Sequence, residues 1–190
     1  MDYTEIISEL AARLSPKRLQ HSIGVSKTAE SLAARFGCDK RKAGISGLFH
    51  DLAREVPVNE LLPRCQAFGI VVNDIESAEP ILLHGPLAAK LAHAEFGIDD
   101  AEMLQAILLH TTGGPNMTVL DKIIYLADVI EPGRTFKGVE KIRKAALTNL
   151  DKALLASIDQ SIRYIVKEGG LIHPATIAAR NEILLKSNTH

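Results

Sequence analysis

Ser15-Pro16-Lys17-Arg18-Leu19-Gln20-His21-Ser22-Ile23-Gly24-Val25 opens the segment on which the fold is read. Ser15 can accept from the free N–H groups of a helix start, and Pro16 supplies a fixed φ at the first helical position, where its missing N–H costs nothing. Val25, Leu32 and Phe36 recur at helical spacing, and Gly37 stops the run. The spacing predicts a helix from Pro16 to Gly37. Working outward, Asp2 to Leu14 is amphipathic, and further helical segments are predicted at about 39–54, 57–68, 86–96, 99–111, 118–130, 138–168 and 176–186, each bounded by Gly, Pro, Asn or Asp. No segment alternates with period two, and Val71-Val72 is too short to carry a sheet. With no internal repeat, low-complexity tract or linker, the expectation is an all-α bundle forming a single domain over residues 1–190.

Composition points the same way. The 190 residues are 46% hydrophobic and 24% charged, ordinary globular usage, with 4% aromatics and no Trp. Abundant Ala, Leu and Ile favour helices over a β-sandwich. Twenty-two Lys and Arg against 23 Asp and Glu leave a net charge of −1, so no positive field exists to hold a nucleic-acid backbone. No nucleic-acid partner is expected. The start, Met1-Asp2-Tyr3-Thr4-Glu5, carries acids where a signal peptide carries Lys or Arg, and no apolar run approaches the ~18 residues of a membrane span. A cytoplasmic protein without membrane contact is expected. Cys38 and Cys65 lack the number and spacing of a disulfide framework or zinc knuckle and are read as packing residues.

The informative anomaly is polar residues on apolar stripes, because a helix normally turns its titratable groups to water. His21 lies four residues before Val25, in the same stripe. Met103 and Ile107 precede His110 by seven and three residues, so it too faces inward. Asp128 falls on the face of Ile124 and Tyr125, and a buried carboxylate is costly unless it is paired or coordinates a metal. His50-Asp51 follows Gly44-Ile45-Ser46-Gly47-Leu48-Phe49, where small residues let a neighbouring helix approach, and both side chains can reach a cation lying beside the helix. His21, His50, Asp51 and Asp128 make two imidazoles and two carboxylates. His84 and His110, at helix ends, suffice for a second ion if Asp51 bridges. Such mixed ligation suits iron, manganese or zinc. From spacing alone, a metal site and a set of satisfied core histidines both stay open.

The order His21, then His50-Asp51, then Asp128 on successive helices resembles the signature of the HD-domain metal-dependent phosphohydrolases. The likeness is closer, over nearly the whole chain, to the YqeK-type branch. It is carried by Arg18-Leu19-Gln20-His21-Ser22-Ile23-Gly24-Val25, Gly47-Leu48-Phe49-His50-Asp51-Leu52-Ala53, Leu83-His84-Gly85-Pro86 and His110-Thr111-Thr112-Gly113. The stretch Leu120-Asp121-Lys122-Ile123-Ile124-Tyr125-Leu126-Ala127-Asp128-Val129-Ile130-Glu131-Pro132-Gly133-Arg134 and the tail Ile172-His173-Pro174-Ala175-Thr176 add to it. One departure is Arg54, where relatives often carry Lys; the charge is kept but not the donor geometry.

The resemblance implies an HD-type helical bundle whose metal-binding helices span about 16–131. It implies symmetrical hydrolysis of diadenosine tetraphosphate into two ADP at a two-metal centre, the ions divalent or mixed-valence and typically iron. His21, His50, Asp51 and Asp128 would hold one ion, and His84, His110 and Asp51 the second, with Asp51 and His50 at the catalytic heart. Two cations sharing Asp51 can lower the pKa of a bridging water and clamp phosphate oxygens around the attacked phosphorus. Arg18, Arg54 and Arg134 are candidates for neutralising phosphate charge, Thr111 and Thr112 for hydroxyl or N–H contacts, and Asp128 and His173 for the nucleotide side of the site. Lys122 is read as either a phosphate contact or a solvated charge, and His93 and His190 as ordinary surface residues. A homodimer is a reasonable expectation for a small enzyme. The competing readings are an HD phosphohydrolase of another nucleotide and a nucleotide-binding regulator without turnover; the additional His84 and His110-Thr-Thr-Gly set speaks against the first, the intact ligand set against the second.

Overall fold

Local capping sets most helix starts in the computed structural model, which describes residues 2–187. Asp2 and Glu5 form a reciprocal capping box at the head of α1 (Tyr3–Ala11). Ser15 accepts from the Arg18 N–H at the start of α2 (Pro16–Phe36), which ends on Gly37 at φ 70°, a left-handed conformation that costs glycine little. Asp39 caps α3 (Lys40–Phe49). After α4 (Val58–Ala67) and the short α5 (Asp74–Ala78), a 3₁₀ turn over Pro80–Leu83 runs directly into α6 (His84–Phe96). Then come α7 (Ala101–Leu109), capped by Asp100, and α8 (Val119–Ile130), opened by a Thr118–Asp121 capping box. The chain closes with α9 (Val139–Ala146), α10 (Leu150–Lys167) and α11 (Pro174–Ser187). Among the described residues there is no strand, and Val71 is 91% exposed in a loop. The fold is all-α, as expected.

The main core lies where α2, α3, α6, α7 and α8 meet. Its anchors include Val25, Leu48, Phe49, Leu87, Ile107, Leu120 and Ile124. Phe49 is fully buried and packs on Phe96 with ring centroids 4.7 Å apart. The α2–α3 pair is unusually close because α3 has no side chain at Gly47, where a Cβ would sit 2.8 Å from the Ser26 Cα. That approach is the tertiary meaning of the small residues ahead of His50. A second, smaller core on the far side of α8 joins Met117, Tyr125, Leu154, Ile158, Ala179 and Ile183, so α10 and α11 brace α8 from outside.

Three helix boundaries differ from the sequence expectation. The helix expected at 39–54 stops at Phe49, and the chain continues in tight turns, with the Leu52 N–H on Phe49 O and the Arg54 N–H on Asp51 O. These i→i−3 bonds replace the α-helical pattern directly after Phe49, while His50 itself keeps helical φ and ψ of −52° and −40°. The 138–168 segment is split between α9 and α10 at Leu147-Thr148-Asn149, where Asn149 accepts from the Lys152 N–H as a new N-cap. The helix expected from residue 86 begins at His84, because the 3₁₀ turn delivers the backbone already helical; α5 and that turn were not anticipated.

Candidate metal centre

His21 sits in the second turn of α2, His50 at the C-terminal end of α3, His84 at the first position of α6, His110 just past α7, and Asp128 near the end of α8. Helix ends converge here, which gives the histidines something to bond. His50 Nδ1 lies 2.8 Å from Gly47 O, His84 Nδ1 2.5 Å from Ile81 O and His110 Nδ1 2.7 Å from Ile107 O, each three residues back. A carbonyl only accepts, so each Nδ1 carries a proton, and in the neutral imidazole the lone pair is left on Nε2, free to ligate. His21 Nδ1 is likewise 3.2 Å from the carboxylate of Glu131.

The four bare nitrogens meet in two pairs. His21 Nε2 and His50 Nε2 are 3.2 Å apart, and His84 Nε2 and His110 Nε2 are 3.0 Å apart. Asp51, 3% exposed, stands between them and divides its oxygens. Oδ2 is 3.6 Å from His21 Nε2 and 3.3 Å from His50 Nε2, while Oδ1 is 3.4 Å from His84 Nε2 and 3.7 Å from His110 Nε2. Asp128 Oδ1 joins the first pair at 3.0 and 3.7 Å. Ligand bonds of about 2.1 Å set neighbouring donors roughly 3.0–3.4 Å apart. Lone pairs facing one another at that range repel unless a cation lies between them, so the donor set fits two metal ions sharing Asp51. The grouped donors of His21, His50 and Asp51, and of Asp51, His84 and His110, lie within 4.8 Å of one another.

The charge balance also favours cations. Burial alone would lower the pKa of His50, but the Asp51 and Asp128 carboxylates outweigh it and hold it above its ordinary value. Burial, with His110 beside it, pushes His84 down to about 3, leaving it neutral and ready to ligate. Burial would raise both aspartates, yet His50 and His110 bring Asp51 well below the usual carboxylate range, and His21, His50 and Arg134 do the same for Asp128.

Two guanidiniums reach the cluster. Arg18 Nη1 donates to Asp51 Oδ2 at 2.7 Å, and Arg134 donates through Nε to Asp128 O at 2.8 Å and through Nη2 to the Asp128 carboxylate. Arg54 is near enough to His84 for its charge to help hold that imidazole's pKa down. The Thr111 hydroxyl is 3.1 and 3.0 Å from the Nε2 atoms of His84 and His110. Thr112 is turned away: its hydroxyl donates to Gly113 O and its carbonyl accepts from Thr176, which ties α11 to the loop after His110. His173 is held by Asn73 and Glu76 rather than by the histidine cluster. Lys122 pairs with Asp151 at 2.6 Å on the α10 side of α8, and His93 is a surface residue beside Asp99. His190 lies outside the described residues.

Glu131 is the residue the sequence reading passed over. It is 6% exposed, bonded to His21 and to the Gly133 N–H at 2.6 Å, and its backbone is clasped by Arg143, which donates to Ile130 O, Glu131 O and Arg134 O. The available signal was an acid flanked by Pro132 and Gly133 directly after an apolar helix.

Comparison with known proteins places this geometry. The HD domain model matches residues 18–133. The chain is 43% identical to the symmetrical bis(5'-nucleosyl)-tetraphosphatase of Halalkalibacterium halodurans over 91% of its own length and 92% of that protein's. It is 38% identical to the enzyme of the same name from Bacillus subtilis, covering 95% and 97%. It superposes with a TM-score of 0.95, at 45% identity and 98% coverage of both chains, on a Clostridium acetobutylicum protein described as a "predicted HD superfamily hydrolase involved in NAD metabolism". The match spans α2 to the turn after α8, the segment that carries every histidine and aspartate of the two pairs, and the chain belongs to the HD-domain family.

Proposed function

We propose that this protein is a metal-dependent symmetrical bis(5'-nucleosyl)-tetraphosphatase that hydrolyses diadenosine tetraphosphate to two ADP. The carrying observation is the division of the Asp51 carboxylate, Oδ2 toward His21 and His50 and Oδ1 toward His84 and His110. The names of relatives similar over nearly the whole chain support the substrate. His21, His50, Asp51 and Asp128 hold one ion and His84, His110 and Asp51 the other, with iron the expected metal and manganese or zinc compatible with the donors. Bound there, two divalent ions supply Lewis acidity that lowers the pKa of water and neutralises phosphate oxygens.

The chain's own groups do the positioning. His50 and His84, fixed by carbonyls on Nδ1, keep their Nε2 atoms aimed at the centre. Arg18, Arg134 and Arg54 offer guanidinium forks to phosphate oxygens. The water oxygen bonds to the second phosphorus from one nucleoside as the bond from that phosphorus to the central bridging oxygen breaks. The departing ADP carries away that oxygen, a second ADP remains, and the protons of the water pass to the leaving oxygen or to solvent. Attack must be in line with the departing oxygen, so which phosphorus is held decides whether cleavage is symmetrical. Catalysis by a cytoplasmic homodimer is the setting we expect; no helix among the described residues is long and apolar enough to cross a membrane.

Incubation of the metal-reconstituted protein with diadenosine tetraphosphate, followed by chromatography of AMP, ADP and ATP, tests the assignment. ADP as sole product is expected. AMP with ATP would mean that an outer phosphorus is attacked, and no turnover with metal confirmed bound would reject the substrate.

A further inference from the structure

A groove of about 1000 Å³ opens beside His21, between α2 and the turn that follows α8. Its α2 wall is one face of the helix, with lining residues at Gly24, Lys27, Thr28 and Ser31 following His21 at steps of three or four. From His21 to Ser31 is ten residues, or about 15 Å at 1.5 Å per residue. The groove thus leads away from the metal centre for a distance comparable to an extended nucleoside diphosphate. Its volume is at the upper end of what a small-molecule site encloses, roughly 300–1,000 Å³.

Chemistry changes along its length. Arg18 and Arg134 stand at the metal end, where phosphate would enter. Glu131 also lines this stretch, but its carboxylate is occupied by His21 and the Gly133 N–H, and it is almost wholly buried. Lys27 is exposed further along, beside Thr28, whose hydroxyl donates to Gly24 O at 2.8 Å and keeps its lone pairs to accept from a ligand. The far end is apolar: Leu32 and Leu147 line it, Leu147 with 52% of its surface exposed, and Arg35 Nη1 donates to the Leu147 carbonyl at 3.0 Å, which ties that residue to α2. Arginines, then Lys27 with the Thr28 and Ser31 hydroxyls, then an apolar floor is an order that suits the phosphate, ribose and base of a nucleotide.

A substrate cut in its middle has to extend two equal arms from the metals, one to each side. His84, His110 and Thr111, grouped through the two Nε2 atoms and the threonine hydroxyl, mark one side. On the His21 side the groove is the continuation. Building on the proposed activity, we infer that this groove seats one nucleoside diphosphate arm of the dinucleotide, its ribose at Lys27 and Thr28 and its base on Leu32 and Leu147. Lys27 and Ser31 are then specificity-determining residues, which favour substrates with a second nucleoside over those with one.

The test uses the full-length, manganese-loaded enzyme with two substitutions at exposed positions of α2, Ser31→Trp to fill the base seat and Lys27→Glu to reverse the charge beside the ribose. Calorimetric titration with ADP is expected to give two ADP per wild-type chain and one per Ser31→Trp chain. For diadenosine tetraphosphate, KM should rise about tenfold or more in each variant, the loss of roughly 1.4 kcal/mol of binding, with kcat little changed. Lys27→Arg should restore it. A single ADP per wild-type chain, or a wild-type KM in both variants, would overturn the groove assignment while the activity stands. Failure of the wild-type enzyme to hydrolyse the dinucleotide would instead remove the proposed function, and the groove assignment with it.

Discussion

Glu131 Oε1 lies 3.2 Å from His21 Nδ1, and this contact joins the end of α8 to the second turn of α2. The carboxylate is enclosed by two glycines: a Cβ at Gly24 would be 2.9 Å from Oε2, and one at Gly133 would be 2.8 Å from Oε1. An acceptor so confined keeps the proton on Nδ1 and the lone pair on Nε2, aimed at Asp128 and Asp51. Glu131→Ala is therefore expected to lower metal affinity about 10–100-fold, measured by competition with a chelator of known affinity. Gly24→Ala, which displaces the carboxylate without removing it, should act in the same direction, and an unchanged affinity in both would refute the coupling.

Asp51 serves both histidine pairs, so its loss should empty the whole centre rather than half of it. Asp51→Ala is expected to bind neither ion and to have no activity, with the helical circular dichroism of the parent. Metal analysis of the purified variant checks this, and retention of one ion per chain would show that the carboxylate does not bridge. Metal should raise the melting temperature of the parent, since an ion that binds only the folded state stabilises it by RT ln(1 + [M]/Kd), and should leave that of Asp51→Ala unchanged.

Arg134 touches Asp128 but its guanidinium is half-exposed toward the groove, which suits a phosphate contact. Arg134→Ala should raise KM for diadenosine tetraphosphate by about tenfold or more, as expected for a lost charge-assisted hydrogen bond of roughly 1.5–3 kcal/mol, with metal content unchanged. Loss of metal along with substrate affinity would instead make it a support for Asp128.

Glu55 anchors the start of α2 from the turn that follows His50. Its carboxylate accepts from the Ser15 N–H and hydroxyl, both at 2.6 Å, and those two bonds hold its pKa below the ordinary value. A carboxylate depressed by folding contributes stability above its unfolded pKa, near 4.5, and that contribution fades as pH falls through the lower folded value. Glu55→Gln should thus melt below the parent at pH 7, with the gap closing in the acid range. Ser15→Ala, which also removes the N-cap, should cost about 1 kcal/mol at pH 7. A gap that is constant with pH would show that Glu55 stabilises by packing alone.

Most of the α-helical plan is written locally. Ser15-Pro16, Gly37, Asp39, Asp100 and Thr118 are caps and stops whose effect depends on the nearest few residues, so they act the same way in any compact fold. The inward stripe positions of His21, His110 and Asp128 are legible for the same reason, since helical periodicity alone assigns them a face. The internal break at Asn149 was legible too, as an N-cap residue inside a periodic run, but periodicity hid it.

What the tertiary structure decided is how those faces meet. The end of α3 at Phe49 has no local stop residue; it follows from the tight turns that carry His50 and Asp51 into the centre. The two-sided use of the Asp51 carboxylate depends on four histidines from four helical segments arriving within a few ångströms, a property of packing that no spacing encodes. Glu131 is the clearest case. In the sequence it is an acid after a helix, 110 residues from His21; only the close passage of α2 at Gly24, with Arg143 clasping the intervening turn, makes it the partner of that imidazole. Helix formation and side-chain face are short-range physics and can be read from neighbours in sequence, whereas the orientation of a ligand is set by groups that become neighbours only when the chain has folded.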